Sequence, residues 1–386
     1  MRSFSSKLAW LIWDLIDFVA KHRPKSLPPT FSGLNQVIIL KPDVIGDFIL
    51  FTGVLRYLRL LYPKNEWEIT LVLANETREV ANYIKSSNSN EEPFDYLITV
   101  NRLLFRTQLI YRFRFLASLV TKRYDLVVNL VANYRHIDKM AYVIDAQKKI
   151  GVSDEYDSDK KFKKSVYSKL IICPNTWQLE IERNAFLIEQ LGYTGTKDVL
   201  PKLSINDELL LDCSELLIEK DVMGKFVVIC PSASANYRIW PLNKLSTVVD
   251  FIWDVYKMPC FICGAKDDKW MFDQIKAMVC SGRPINLFGA TTLLQLAALI
   301  SKASICISMD SGPAHISVAV NAPLVCIVGG GHYKKFFPYG NQDRFRVAKE
   351  ELDCFYCNWH CKYNTPICVR DISVKTVTDE IKVLIG

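Results

Sequence analysis

Three short segments of the 386-residue chain combine side chains that could act together in group transfer. The first, Pro42-Asp43-Val44-Ile45-Gly46-Asp47-Phe48, follows the apolar run QVIILK. A carboxylate at Asp47, where a helix begins, is favoured by the helix dipole. Turned toward a substrate, it could instead take a hydroxyl proton as general base. The second, Pro231 to Pro241 after FVVIC, carries Ser232, Ser234, Arg238 and Trp240-Pro241. Hydroxyls and a guanidinium before a helix suit a phosphate, while a plain surface loop covered by Trp240 fits the same residues. The third is Asp310-Ser311-Gly312-Pro313-Ala314-His315, after SICISM. Backbone N–H groups of Ser311 and Gly312 can point at an anion, and Pro313 in the first helical turn sacrifices no hydrogen bond. His315 taken alone reads equally as a structural histidine.

These segments need strands before them and helices after them. From Gln36 onward QVIILK, EITLVL, DYLITV and DLVVNL read as strands, with helical patterns over 47–61 and 107–122. Residues 152–164, charged and without period, read as a mobile loop, and 176–191 as a long helix. Alternation restarts with FVVICP, PCFICG, INLFG, SICIS and PLVCIVGG. The expected architecture is α/β: two doubly wound domains facing across a cleft, with ligands beyond the carboxyl ends of the strands. Residues 1–30 form an amphipathic helix and linker, 31–195 the first domain, 200–370 the second, and 371–386 a terminal helix. Gly329-Gly330-Gly331 either lets backbone pass close to a ligand or makes a tight turn.

Half the residues are hydrophobic and 23% are charged, which excludes disordered and collagen-like classes. The net charge of +7 is lopsided, since residues 1–200 hold 28 Lys and Arg against 22 Asp and Glu, and 201–386 hold 20 against 19. Arg102, Arg106, Arg112 and Arg114, interleaved with aromatic residues, and Lys160, Lys161, Lys163 and Lys164 carry much of the excess. They suit an anionic partner or a solvated face; no nucleic-acid motif accompanies them. The segment from Leu8 to Ala20 is strongly apolar but interrupted by Asp14 and Asp17, too short for a span, and without a cleavage site. Its broad apolar face fits a helix lying in a membrane interface or one docked on protein.

Of twelve cysteines, eight are scattered, mostly in apolar runs, and read as buried thiols of a reducing compartment. Cys354, Cys357, Cys361 and Cys368 form C-x2-C-x3-C-x6-C. That spacing admits a structural Zn or Fe, with His360 as a substitute ligand, then free or redox-sensitive thiols, and last disulfides; it serves no catalytic step in any of these readings.

The set of loops resembles glycosyltransferase family 9, the ADP-heptose:lipopolysaccharide heptosyltransferase family. The resemblance rests on Asp310-Ser311-Gly312-Pro313-Ala314-His315, Ile45-Gly46-Asp47, the Arg238-Ile239-Trp240-Pro241 ending and Phe288 to Leu293. It implies a GT-B fold of two Rossmann-like domains, acceptor on the first and nucleotide sugar on the second, with inverting transfer that requires no metal. It assigns Asp47 as base and Arg238 to the leaving diphosphate. Ser232, Ser234, Asp310, Ser311, Gly312 and His315 fall on the donor side, and the four arginines on the acceptor side. Some members carry similar Cys-rich carboxyl-terminal segments, including iron-binding ones. The implied partners are ADP-heptose or a related nucleotide sugar and an anionic glycolipid at the inner face of the cytoplasmic membrane. Transfer to a protein, another nucleotide sugar, or a non-catalytic nucleotide-sugar-binding subunit are the alternatives.

Overall fold

The computed structural model describes residues 4–22, 33–87, 91–155, 157–174 and 179–386. The chain divides into two compact units, Met1–Phe48 with Val54–Thr176 and Arg183–Lys197, and Ile49–Gly53 with Trp177–Glu182 and Asp198–Gly386. The first holds β1 (Asn35–Leu40), β2 (Trp67–Ala74), β3 (Tyr96–Val100), β4 (Tyr124–Asn129), β5 (Ala146–Asp154) and β6 (Lys169–Cys173). All pair in parallel, in the order β3-β2-β1-β4-β5-β6. The second holds β7 (Val227–Cys230), β8 (Cys260–Gly264), β9 (Pro284–Phe288), β10 (Ile305–Met309), β11 (Leu324–Ile327) and β12 (Phe345–Ala348). These too are parallel, ordered β12-β11-β10-β7-β8-β9. Each order is that of a Rossmann sheet, reversing direction between β1 and β4 and between β7 and β10. Helices cover the faces, so central strands such as β7, β10 and β11 are apolar at nearly every position and wholly buried.

Several expectations need correction. Residues 152–164 are not a loop without structure: β5 runs to Asp154, and Lys160–Val166 is a helix. Its Lys163 is fully buried, paired to Asp157 at 2.7 Å and donating to the Val152 carbonyl at 2.7 Å, so it belongs to the core and not to an anionic partner. The expected helix over 107–122 is two, Arg102–Thr107 and Leu109–Leu119. The helix expected from 176 is Glu180–Gln190 in the described part, and 175–178 lie outside the described residues, as do linker residues 23–32. Seven of the eight scattered cysteines are buried, but Cys280 is exposed.

The amino-terminal helix, Phe4–Lys21, docks with Asp17 inward and Asp14 at the margin of the contact. Asp17 is fully buried and accepts two bonds from Arg112, from Nε and Nη2, each 2.7 Å. Asp14 pairs with Lys139 at 2.7 Å. Arg112 also lies over the rings of Phe105 and Trp13 and reaches His136 Nδ1 at 3.1 Å. Its guanidinium is therefore consumed inside the unit, which removes Arg112 from the acceptor-facing set. Burial raises the Asp17 carboxyl above its ordinary range, against the lowering effect of Arg112. Removing one partner of such a pair strands the other charge, a loss of about 3–5 kcal/mol. Asp17→Ala should lower stability in urea by that amount, and Asp17→Leu with Arg112→Met should recover most of it. A single-variant loss under about 1 kcal/mol would contradict this role.

Candidate active site

In the second unit the polar loops gather where β7 and β10 part. After β7, Pro231 to Ala235 lead into a single turn, Asn236–Arg238. Arg238 Nη1 donates to the Asp310 carbonyl at 3.4 Å, and Nη2 donates to Ser234 Oγ. After β10, Ser311 precedes the helix Gly312–Ala319 with extended backbone and makes no side-chain cap. Arg238 Nε, Ser311 Oγ and Asp310 Oδ2 are buried without a protein partner. Donors and acceptors so placed cost free energy in the empty protein, about 1–3 kcal/mol each, and are explained where a ligand completes them. The uncapped helix N-terminus adds N–H groups and a favourable dipole for an anion. Ser232 lies half-buried in the loop after β7, and Ser234 is exposed.

Trp240 proves not to be a surface cover. It is among the largest fully buried side chains, with Nε1 donating to the Ile372 carbonyl at 3.1 Å, so it pins the Arg238 loop to the carboxyl-terminal segment. His315 is buried, stacks on Phe337 at 4.8 Å and has Nδ1 3.0 Å from the Tyr339 hydroxyl. Burial, then Arg238, pushes its pKa down to about 3, so it stays neutral and sets the loop from within. Asp310 is pushed up to about 6 by burial, with Arg238 opposing.

Two further residues reach this edge without having been singled out in the sequence. His332 follows the Gly329–Gly331 stretch after β11, and Trp359 sits in the Cys-rich segment. His332 Nε2 lies 3.0 Å from Asn358 Oδ1, while His332 Nδ1 and Trp359 Nε1 are buried without a partner. The Trp359 ring is 4.9 Å from Tyr237, next to Arg238. The glycines are a bed for this segment: a Cβ on Gly330 would strike Phe355, and one on Gly331 would strike Trp359. Tyr356 and Asn358 donate backbone bonds to Gly330 and Gly331 at 2.8 and 3.0 Å, and Tyr356, Asn358 and Trp359 adopt left-handed backbone to do so. The signal available in sequence was the glycine triplet itself, whose occupant comes from 28 residues later.

Cys368 is buried and its Sγ accepts from the Gly330 N–H at 3.3 Å; Cys354 and Cys357 are half-buried and Cys361 exposed. Burial raises the Cys368 thiol, with the other three adding to the rise. Among the described residues no group of three or more His, Cys, Asp or Glu side chains is arranged to hold a metal. The segment's visible part in this structure is to roof the glycine bed.

In the first unit the matching edge carries Asp47, Arg102 and Tyr134. Helix Ile45–Leu61 starts two residues before Asp47, which is half-exposed in the first turn. Just upstream, buried Lys41 pairs with Asp43 at 2.7 Å. Arg102 and Arg106 approach the Tyr134 ring, with guanidinium carbons 5.7 and 6.0 Å from its centroid. Arg102 Nε and the Tyr134 hydroxyl are buried without a partner. Burial, then Arg112, Arg106 and Arg135, push His136 down to about 4, which registers the positive field there. Arg114 is exposed.

Two Rossmann-ordered sheets with their polar loops on the switch-point edge are the architecture of the GT-B glycosyltransferases. The profile of glycosyltransferase family 9 (heptosyltransferase) matches residues 112–359, and the chain belongs to that family of enzymes. It is 27% identical over 305 residues to lipopolysaccharide heptosyltransferase 3 of Escherichia coli K12, covering 76% of this chain and 82% of the relative. Among solved structures, the glycosyl transferase family 9 protein of Veillonella parvula aligns at TM-score 0.74 and 19% identity, over 91% of this chain and 97% of that one. The E. coli heptosyltransferase WaaC with ADP-2-deoxy-2-fluoro heptose aligns at 0.60 and 17% identity, over 90% and 99%. TibC, an iron-containing dodecameric glycosyltransferase of enterotoxigenic E. coli, aligns at 0.52 and 12%, over 91% and 76%.

Two predictions follow from this geometry. Below pH 6.5 the unfolded chain protonates His315 while the folded one does not until about pH 3, so this residue makes stability fall with pH, by about 1.4 kcal/mol per unit. Asp310 works oppositely between about pH 6 and 3.8, where the folded chain alone holds its proton. Between pH 6 and 4, His315→Gln should lose less stability in urea than wild type and Asp310→Asn more; parallel curves would reject both assignments. Separately, Gly331→Ala should displace Trp359, speeding reaction of Cys357 and Cys361 with a thiol reagent and weakening nucleotide binding. Unchanged rates and affinity would mean that the roof tolerates the methyl group.

Proposed function

We propose that this enzyme moves a heptose from ADP-heptose to an anionic, lipid-linked lipopolysaccharide-core acceptor at the cytoplasmic face of the membrane, with inversion and without a catalytic metal. The observation that carries the donor half is the orphaned set Arg238 Nε, Ser311 Oγ and Asp310 Oδ2 at an uncapped helix N-terminus on the β7/β10 edge. The names of the relatives support the sugar and the acceptor class.

In this reading Asp47 removes the proton of the acceptor hydroxyl as its oxygen attacks the anomeric carbon from the face opposite the diphosphate. The carbon–oxygen bond to the β-phosphate breaks, and ADP leaves with the electron pair. Arg238 and the N–H groups of Ser311 and Gly312 meet the charge that grows on the diphosphate, the form of stabilisation worth most in a water-poor site. Ser232 and Ser234 supply further donor-side hydroxyls, and neutral His315 holds the loop. Arg102 and Arg106, with Tyr134, receive the acceptor's anionic groups, and Arg114 lies beyond them.

Thermal-shift titration of nucleoside diphosphates and nucleotide sugars tests the donor. ADP and ADP-heptose should stabilise the protein more than UDP or GDP compounds. Arg238→Ala should weaken ADP by about 10- to 100-fold, as expected for a lost charged hydrogen bond. Asp47→Asn should keep the ADP shift but lose about 10²- to 10⁴-fold in turnover. Indifference to ADP, or full turnover in Asp47→Asn, would overturn the assignment. A protein that binds donor yet transfers to no glycolipid would favour a protein acceptor or a binding subunit.

A further inference from the structure

From residue 12 onward the amino-terminal helix turns apolar side chains to solvent. Asp17 is buried on Arg112 and Asp14 pairs with Lys139 at the margin, while Ile12, Leu15, Phe18 and Val19 face outward, with Leu15 61% and Phe18 51% exposed. This helix packs against Leu109–Leu119, which packs in turn against Arg102–Thr107. Those two helices expose Leu103, Leu109 and Ile110, the last at 70%. Seven of the twenty large apolar side chains exposed among the described residues thus fall on three helices joined through Leu109–Leu119. Scattered single exposures are ordinary; such a concentration marks an interaction surface.

The charge on the same helices selects the partner. Between residues 12 and 22 the acids are Asp14, half-exposed and neutralised by Lys139, and Asp17, buried on Arg112, and between 102 and 119 there is no acid. Arg106 and Arg114 are exposed there, and Lys21 and His22 end the first helix. A second copy of this surface would bring like charges together around the apolar contact. An anionic bilayer offers what the surface lacks, acyl chains for Leu15, Phe18 and Ile110 and lipid phosphates for the arginines. No helix among the described residues is long and apolar enough to cross a membrane, which fits a helix lying along the interface.

We propose that the outward faces of these three helices form a docking surface for an anionic lipid bilayer. It goes beyond the transfer reaction, because it assigns a second ligand class, the bilayer itself, to apolar residues that the transfer reading does not use, with Arg106 and Arg114 at the border shared with the acceptor edge. Through Arg102 and Arg106 the surface adjoins the positive edge proposed for the acceptor, so docking would bring that edge to the lipid from which the acceptor projects.

Flotation of the full-length protein with phosphatidylglycerol/phosphatidylethanolamine vesicles, free of any sugar acceptor or donor, tests this directly. The wild type should float with these vesicles. It should bind severalfold less to phosphatidylcholine vesicles, or when salt is raised from 100 to 500 mM. Leu15→Glu/Phe18→Glu, and independently Ile110→Glu, should lower the bound fraction at least tenfold while leaving Tm and the ADP-induced thermal shift unchanged. Absence of wild-type binding would overturn the proposal, as would equal binding by folded variants. So would a wild-type dimer that the same substitutions dissociate without any vesicle binding. Because the readout needs no turnover, its failure is distinct from a failure of the proposed heptose transfer.

Discussion

Parallel strand pairing is the constraint from which the rest of this structure follows. Because all ten strand pairs are parallel, each strand must be entered from the same side, and the chain must return across a face of the sheet every time. Every strand therefore delivers its carboxyl end to one edge, and loops distant in sequence become neighbours there. Arg238 and Ser311 are 73 residues apart yet share the β7/β10 edge, and Arg102 and Tyr134 meet on the edge of the first sheet. The reversal of strand order at β7/β10 sends the adjoining crossovers to opposite sides, leaving the helix N-terminus at Gly312 open to an anion.

Buried cations separate into two kinds on this scaffold. Arg112, Lys163 and Lys41 each have a carboxylate at 2.7 Å, and Arg112 and Lys163 make further bonds. Such groups are matched inside the fold and have little to offer a ligand. Arg238 and Arg102 retain a buried Nε without a partner at a strand-end edge. A protein keeps an unmatched N–H of this sort at a cost of about 1–3 kcal/mol, which folding alone gives no reason to bear. The contrast within one short run, Arg102 unmatched and Arg112 matched, shows that basic residues in a cluster need not share a role.

How much of this was legible follows from the same physics. The strands of the second unit were readable because buried parallel strands such as VVIC and ICISM tolerate no charge. β5 was not, because AQKKIGVSD lies toward the sheet margin and exposes Gln147 and Lys148, hiding the strand behind apparent polarity. The placement of Asp47, Arg238 and the Asp310-to-His315 segment just beyond strand ends was visible because strand, turn and helix signals lie within a few residues of each. His332 and Trp359 were hidden, since their place depends on a distant segment settling on three glycines. Cysteine spacing admits a metal but does not show the path of the segment, which backbone bonds from Tyr356 and Asn358 to Gly330 and Gly331 set.

The orientation of the amino-terminal helix was beyond sequence for a different reason. Amphipathicity defines two faces of a helix without saying which turns inward, and the usual expectation buries the apolar one. Here the receiving surface decides, because it already contains Arg112 and Lys139. With the apolar face inward, those two cations would lie against hydrocarbon, at about 3–5 kcal/mol for each stranded charge. With Asp17 inward and Asp14 at the margin on Lys139, four apolar side chains, each roughly half exposed, forgo part of the about 1.5–3 kcal/mol that full burial of each would give. The second loss is the smaller, so in water the acidic stripe turns toward the two cations. The loss that remains is confined to Ile12, Leu15, Phe18 and Val19, and it is recovered only when something apolar covers them.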